Sequence, residues 1–598
     1  MKKFPFTTFL DAAFGRGDEI SGVEGNDGHM RSLEETIFRW GIVLSIAVGV
    51  GLRFLWLGKR ELWYDEVLSI LLSTGQKSAY QLPDNVPFAL SDFSALLKIA
   101  PENGLGDAIA TVKDLLKGNL SEPHPPLLYL SNHIWMRLFG NGAAATRSLV
   151  MLMSLATIVV AYFLGRRVLG KRGGMIFTAL MALNPFFFVH SLNLRMYSPM
   201  LLWGGLSALC LLSLMGIDKS SEQVFETASM ANSQRWGWRA WLMRSGVAVA
   251  LCAGVMTQYL FAYWFFALGA LALFLDRKRW LHNGLVISSG GLLFMPWALW
   301  GTLKQLGGRT DVLDRLGAAG GMVQHGKDLA QTVGNYLILG HLPMRWLPMV
   351  GKIKPTAVAI GCVAIGFLVM CVVALYRRRQ YWVLVTCSLL GLFPLMLALG
   401  VDIAANKYTL GFGYGRATIV VLLGCVLLVA AWLEKATGRW RSVLTGGILA
   451  AYLAVNLVEF AGFERQMFHR VNGALLQSDR PTLVVLNSRA WGHVNRVTYY
   501  LDEQANPDVL AAAPAKLSAA LSAALEQKTY GRVLWLRANM PLWDAPETEA
   551  IGNALAEETD RLLHERYSLV SRESLRGTMN LDSFEFEVLE LSPDSPKA

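Results

Sequence analysis

The sequence predicts a polytopic α-helical membrane protein of about eleven spans, followed by a C-terminal soluble α/β domain. Three observations carry this expectation. Of the 598 residues 53% are hydrophobic and 17% charged, and the apolar residues gather in uncharged runs of about 20 residues, the length that crosses a bilayer. The net charge of +10 is not spread evenly but sits in short loops between those runs, where basic residues set orientation and make no nucleic-acid surface. After Phe463 the long apolar runs stop, and a polar stretch with short candidate strands takes their place, the last of them, 584–591, alternating apolar and charged residues.

In chain order, residues 1–38 are polar and mixed in charge, with no apolar core of a cleavable signal peptide, and read as a cytoplasmic segment. Residues 39–462 form the membrane domain, with a first span at 40–57 and a long outer loop at 59–147. Within that loop, 91–117 reads as one or two amphipathic surface helices, and 126–140 is apolar but too short to cross. Charge decides its placement. If 126–140 lies along the interface, Arg166, Arg167, Lys171 and Arg172 fall inside, as the positive-inside rule prefers; if it crossed, they would fall outside. Further spans then alternate at 148–164, 174–191, 198–216, 241–257, 259–275, 284–303, 355–376, 381–401, 417–433 and 443–460, and every tight basic cluster lands in the cytoplasm. Residues 463–598 read as an extracytoplasmic α/β domain, with strands at 482–486, 497–501, 532–536 and 584–591 and helices at 513–527 and 547–564. No catalytic motif stands out in it, and support of the membrane site or a lid over it is its expected role. The six cysteines lie in or at the ends of apolar runs without metal-ligand spacing, so neither a disulfide framework nor a zinc site is indicated.

The chemistry-bearing residues crowd at the outer ends. The first loop carries Asp65 and Glu66 in Trp63-Tyr64-Asp65-Glu66, then Glu122 and His124, then Arg147 at the next span. The end of the third span carries Arg195 and Tyr197; the middle outer loop Arg309, Asp311, Asp314, Arg315, His325, His341 and Arg345; and the short loop at 402–416 Lys407 and Arg416. Adjacent carboxylates beside a span are costly in or near lipid. A carboxylate such as Asp65 can take a proton from an attacking hydroxyl or amine. Arginine or lysine can stabilise a leaving phosphate, arginine with a bidentate fork. Neighbours on a helix point about 100° apart, so one of the pair faces substrate and the other pairs with a cation such as Arg147 or Arg195. Each position also has a plainer role. Asp65 and Glu66 could cap an interfacial helix, Arg147 and Arg416 could be interfacial anchors, Arg195 could mark a span end and His124 a rigid turn between prolines. Asp311 and Asp314 are better read as a solvated face.

Taken together, Trp63-Tyr64-Asp65-Glu66, His124-Pro125-Pro126-Leu127-Leu128-Tyr129, Leu138-Phe139-Gly140 and Arg147 resemble the GT-C membrane glycosyltransferases. The resemblance is to glycosyltransferase family 39, related to protein O-mannosyltransferases and aminoarabinose transferases. Arg195 and Tyr197 are similar to the Arg-x-Tyr at the third span end. Phe412-Gly413-Tyr414-Gly415-Arg416 is similar to a later Phe-x-x-Arg-Tyr element, although Ala417 stands where that pattern has Tyr. The similarity covers roughly 40–460. It implies a GT-C-like fold in a bacterial inner membrane and a polyprenyl-phosphate-linked sugar donor used at the outer face with inversion. The acceptor would be a protein, lipid or glycan. It further implies Asp65 as catalytic carboxylate, Glu66 as its structural or assisting neighbour and the region of His124 at the lipid phosphate, with Glu122, Arg147, Arg195, Tyr197, Lys407 and Arg416 as the other substrate-side candidates. No cofactor is firmly implied, and a divalent metal is neither required nor ruled out by the residues.

Two rival classes remain. A transporter or flippase for lipid-linked sugars should carry ionisable residues at mid-span or paired broken helices in two halves. Here the charges crowd at one face and no internal repeat is visible. A non-catalytic assembly or receptor subunit would depend on its tail, whereas an enzyme deleted of 481–598 is expected to keep its donor site.

Overall fold

The computed structural model describes residues 26–216, 237–308, 321–340, 355–411, 413–461, 466–541, 544–577 and 582–592, with the backbone alone at 26–33, 339 and 461. Most of the 1–38 segment, Arg309, Asp311, Asp314, Arg315, His341, Arg345, Phe412 and the domain boundary at 462/463 lie outside the described residues.

Among the described residues nine helices are long and apolar enough to cross a membrane, from Glu34–Trp56 to Gly438–Phe460. One of them, Ala143–Leu183, has 41 residues. A straight helix of that length would measure about 60 Å, twice a hydrocarbon core. It is instead two segments joined at Gly170, whose φ of 87° and ψ of 178° only a residue without a Cβ adopts freely. The two halves fold back on each other, because a Cβ on Gly165 would stand 3.0 Å from the Gly174 Cα. Divided there, and with the shorter apolar helix Tyr259–Leu275 added, the nine helices become the eleven segments expected from hydropathy. Arg416–Lys435 has the most enclosed apolar window of the nine, 89% buried, and the second half of the hairpin is as enclosed, with every residue from Gly173 to Leu183 buried; both run through the centre of the bundle. The second half of the hairpin ends at Asn184, whose Oδ1 accepts from the Phe187 N–H at 2.9 Å and starts a new short helix at Pro185. Its last carbonyls are capped from the side: Arg53 donates to that of Ala182 at 2.6 Å and Asn456 to that of Leu183 at 2.8 Å.

Helix α1 (Tyr64–Ser73) and helix α2 (Leu127–Phe139) of the first loop lie between spans. With 13 residues, α2 is too short to cross, and it leaves Ile134, Leu138 and Phe139 exposed, as an interfacial helix does. The expected amphipathic stretch at 91–117 resolves into Leu90–Ser94, a 3₁₀ turn at Ala95–Leu97, and Leu105–Asn119.

The tail folds as a six-stranded sheet in the order β1-β3-β2-β4-β6-β5, where β1 is Phe88–Ala89, β2 Thr482–Leu486, β3 Asp508–Ala511, β4 Arg532–Ala538, β5 Tyr567–Leu575 and β6 Phe584–Leu591. β3, β2 and β4 are parallel and the others antiparallel. One face packs Val484, Leu486, Leu534 and Phe586 against Met467–Leu475 and helix α3 (Trp491–Tyr500). The other packs Leu483, Val485 and Trp535 against Pro514–Gln527 and Glu549–Arg566. The strand expected at 497–501 is the end of α3: Val494, Val497 and Leu501, spaced by three and four residues, all bury on the sheet. β1 belongs to the first loop, so the sheet is completed by a segment from far upstream.

Candidate functional site

The site is built around α1. Its first turn holds Asp65 and Glu66, where carboxylates meet the positive end of the helix. Glu66 sits three residues past the N-cap Trp63 and accepts from the Trp63 N–H at 3.1 Å, the backward half of a capping box. It is fully buried, and its two oxygens take a bidentate fork from Arg147, Nε to Oε1 at 2.7 Å and Nη2 to Oε2 at 2.6 Å. The Leu194 N–H adds a bond to Oε1 at 2.7 Å. Burial pushes the Glu66 carboxyl up, but the Arg147 charge and these donors outweigh it and hold the group below the usual carboxylate range. Arg147 spends its remaining Nη hydrogens on the carbonyls of Arg60 at 2.6 Å and Glu61 at 3.0 Å. Arg147, expected among the phosphate-binding residues, is therefore sealed: it is 2% exposed and committed to Glu66 and the chain entering α1. Glu66 is equally closed to a substrate.

Asp65 faces the other way. It keeps 24% of its side-chain surface, and its Oδ2 stands 3.9 Å from Nη2 of Arg195 and 3.9 Å from Nη2 of Arg416. Both distances exceed hydrogen-bond length, so the three groups line a gap without closing it. Arg195 is fixed from behind: its Nη1 donates to the Ser69 hydroxyl at 3.1 Å, one turn along α1, and reaches the Asp65 carbonyl at 3.3 Å. Burial works against its charge, yet Asp65 and the groups around it raise its pKa, so it stays protonated. Arg416 lies over the Trp63 ring at 5.2 Å, a cation–π contact. It leaves a loop in which Gly413, Tyr414 and Gly415 all have positive φ (69°, 60° and 90°). The Tyr336 hydroxyl pins that loop by donating to the Gly415 carbonyl at 2.7 Å, and Asn335 donates to that of Tyr414 at 3.0 Å.

The structure thus brings Asp65, Glu66, Arg147, Arg195 and Arg416 together. Glu122 is buried within electrostatic reach of Arg195. His124 takes part through its backbone, its carbonyl accepting from Asn119 at 2.9 Å and Gln305 at 3.1 Å. Tyr197 packs on the His190 ring at 4.3 Å. Lys407 follows a left-handed Asn406 in a turn closed by its N–H to the Asp402 carbonyl at 2.8 Å, and the contacts among Asp65, Arg195 and Arg416 do not include it. Among the described residues no three His, Cys, Asp or Glu side chains gather as metal ligands.

One side chain escaped the sequence reading. Tyr129 is 1% exposed, and its hydroxyl faces Arg195, with Glu122 and Asp65 also acting on it. No bond of good hydrogen-bonding geometry closes to it. Burial raises its pKa, so it is a neutral O–H donor. The signal was its place at the end of His-Pro-Pro-Leu-x-Tyr, where a tyrosine among leucines reads as core.

No protein-family model matches the chain, and no curated protein does. Among solved structures the chain is similar to ArnT from Cupriavidus metallidurans in the apo state, at 14% identity over 92% of this chain and 97% of that one, with a TM-score of 0.39. It is also similar to ArnT from the same organism bound to undecaprenyl phosphate, at 14% identity over 93% and 99% of the two chains, with a TM-score of 0.37. A third is AglB, the oligosaccharyltransferase of Archaeoglobus fulgidus, in complex with an inhibitory peptide and a dolichol-phosphate, at 14% identity over 94% and 75%, with a TM-score of 0.45. These neighbours are GT-C fold glycosyltransferases. The chain itself has the fold class its sequence predicts, a polytopic bundle of apolar helices carrying a small α/β domain.

Proposed function

We propose that the protein is an inverting glycosyltransferase that moves a sugar from a polyprenyl-phosphate carrier to a protein, lipid or glycan acceptor at the outer face of a bacterial inner membrane. In this reading 1–38 is cytoplasmic, 39–462 is the membrane domain and 463–598 lies outside. The observation that carries the proposal is the geometry at Asp65: a part-exposed carboxylate 3.9 Å from each of two guanidinium groups, beside a second carboxylate fully neutralised by its own arginine. The order of motifs around it supports the same class.

The acceptor O–H or N–H attacks the anomeric carbon from the face opposite the phosphate. Asp65 takes the proton as that bond forms. The bond from the anomeric carbon to the phosphate oxygen breaks, and polyprenyl phosphate leaves with the electron pair. Arg195 and Arg416 meet the charge that develops on that oxygen. Glu66 and Arg147 keep α1 and the preceding turn in place and touch no substrate.

The test is Asp65→Asn in purified, reconstituted protein supplied with a polyprenyl-phosphate sugar. A loss of about 10²-fold or more in kcat, with polyprenyl phosphate still bound, is expected. Full activity in this variant would end the assignment. A transporter would be favoured by ionisable groups at mid-span; Arg53, the buried cation of the first span, stands in the last turn of its helix, where its Nη1 donates to the carbonyls of Gly49 and Ala182.

A further inference from the structure

The α/β domain does not hang from the membrane bundle; it grips the chain just before Asp65. Helix α3 lies against α1. Its Gly492 lies under the Tyr64 ring so closely that a Cβ there would stand 2.4–2.5 Å from three atoms of that ring. The ring of His493 meets Tyr64 edge-on at 5.3 Å. At the other end of α3 the Tyr500 hydroxyl accepts from the Leu62 N–H at 2.6 Å, and the Tyr499 hydroxyl donates to the Asn141 carbonyl at 2.9 Å. Just upstream, Glu61 Oε1 meets both the backbone N–H and the imidazole Nδ1 of His469 at 2.7 Å. Residues 60–62 are therefore held from the membrane side by Arg147 and from the outer side by the domain.

The grip is rigid at its root. Arg496, in the middle of α3, forms an ion pair with Asp582 at 2.7 Å, the two side chains 1% and 0% exposed, and its guanidinium lies over Phe468 at 4.7 Å. A ten-residue helix such as α1 is marginal by itself, so its direction is set by what it packs on.

We infer that the C-terminal domain positions the Asp65 carboxylate, with Gly492 as the seat of Tyr64 and Tyr500 as the anchor of Leu62. This rests on the reading of Asp65 as the base. Gly492 and Tyr500 are positioning residues: neither touches the gap between Asp65, Arg195 and Arg416. A shift of about 1 Å at the base costs up to 10²-fold in rate while leaving the phosphate-binding cations where they are.

The experiment uses the full chain in nanodiscs, with Gly492→Val and the near-isosteric Tyr500→Phe. Two quantities are read: amide hydrogen exchange across residues 62–73, and the kinetics of transfer from a polyprenyl-phosphate sugar. Faster exchange in that segment is expected in both variants. With it, kcat should fall about ten-fold or more in Gly492→Val and less in Tyr500→Phe, while polyprenyl phosphate binds within two-fold of wild type. Unchanged exchange at 62–73 in Tyr500→Phe overturns the inference, and so does faster exchange with kcat unchanged. If the wild-type protein transfers no sugar from any such donor, the functional reading fails by itself, and the exchange result still decides whether the domain holds α1.

Discussion

At the scale of the residue, two neighbouring carboxylates have opposite fates because they leave α1 in different directions. Glu66 meets a fork of N–H donors in a dry place, and Asp65 meets two cations across a gap. Removing one partner of a buried pair leaves the other charge uncompensated, so Arg147→Leu should cost about 3–5 kcal/mol in unfolding free energy, read as a large drop in Tm. Arg416→Gln should leave Tm nearly unchanged and weaken polyprenyl-phosphate binding, which equilibrium titration measures. Tyr129→Phe deletes one buried hydroxyl that faces Arg195 and closes no hydrogen bond of good geometry, so Tm should stay nearly constant while polyprenyl-phosphate transfer falls several-fold, which paired melting and transfer assays read. His133 supplies a pH dependence. Its Nδ1 donates to the Ser73 carbonyl at 2.7 Å and its Nε2 accepts from Arg137 Nε at 2.9 Å, which only the neutral ring can do. Burial and Arg137 lower its pKa against the opposing Ser73 bond. A lowered folded value means the stabilisation is present above the ordinary histidine range, near 6.5, and is lost as pH falls through the folded value. The Tm of the wild type should therefore drop more between pH 7.5 and 5 than that of His133→Gln; equal slopes would show that the ring is not the titrating group. Asp65 and Glu66 were legible because paired carboxylates beside a span stand out. Tyr129 was not, because a hydroxyl flanked by leucines carries no local mark of what it faces.

At the scale of the element, the loop before Arg416 shows how backbone geometry aims a side chain. Gly415 has a φ of 90°, and a Cβ there would meet Thr332 Cγ2 at 2.7 Å. Gly415→Ala combines left-handed strain of about 1–2 kcal/mol with that clash. It should reproduce the binding defect of Arg416→Gln although the arginine is intact, and donor titration checks this. The short loop at 402–416 was legible, but its positive φ angles and the Tyr336 pin were not, since they depend on a helix nearly eighty residues upstream. α3 shows the reverse failure. Val494, Val497 and Leu501 face one sheet, and five residues of a helix viewed alone mimic a strand.

At the scale of the whole molecule, the membrane part was readable almost span by span, because hydrocarbon admits few backbone solutions and loop charge fixes the alternation. A helix of 41 residues resolves at Gly170 into the hairpin expected from its basic turn, while the helix expected at 174–191 breaks at Asn184 and restarts at Pro185. The docking of the tail was not readable. Contacts such as Tyr500 to Leu62, 438 residues apart along the chain, leave no periodicity or motif behind. They also reverse the expectation that removal of the tail spares the donor site. Deleting 467–598 strips Leu62, Glu61 and Tyr64 of their outer partners, and the truncated protein should lose both thermal stability and polyprenyl-phosphate transfer. A truncation that kept full turnover would show the tail to be a passenger.

β1 carries a consequence for the making of the protein. The Asn85 side chain beside it accepts from the Ala513 amide, 428 residues later, and β1 pairs only with β3. At translation rates of roughly 5–20 residues per second, the early loop waits on the order of 20–90 seconds for its partner to emerge. During that interval the nascent chain carries its carboxylates without the clamp that aims them. A chain whose synthesis stops short of the tail therefore keeps residues 61–64 without the partners that hold them in the finished protein.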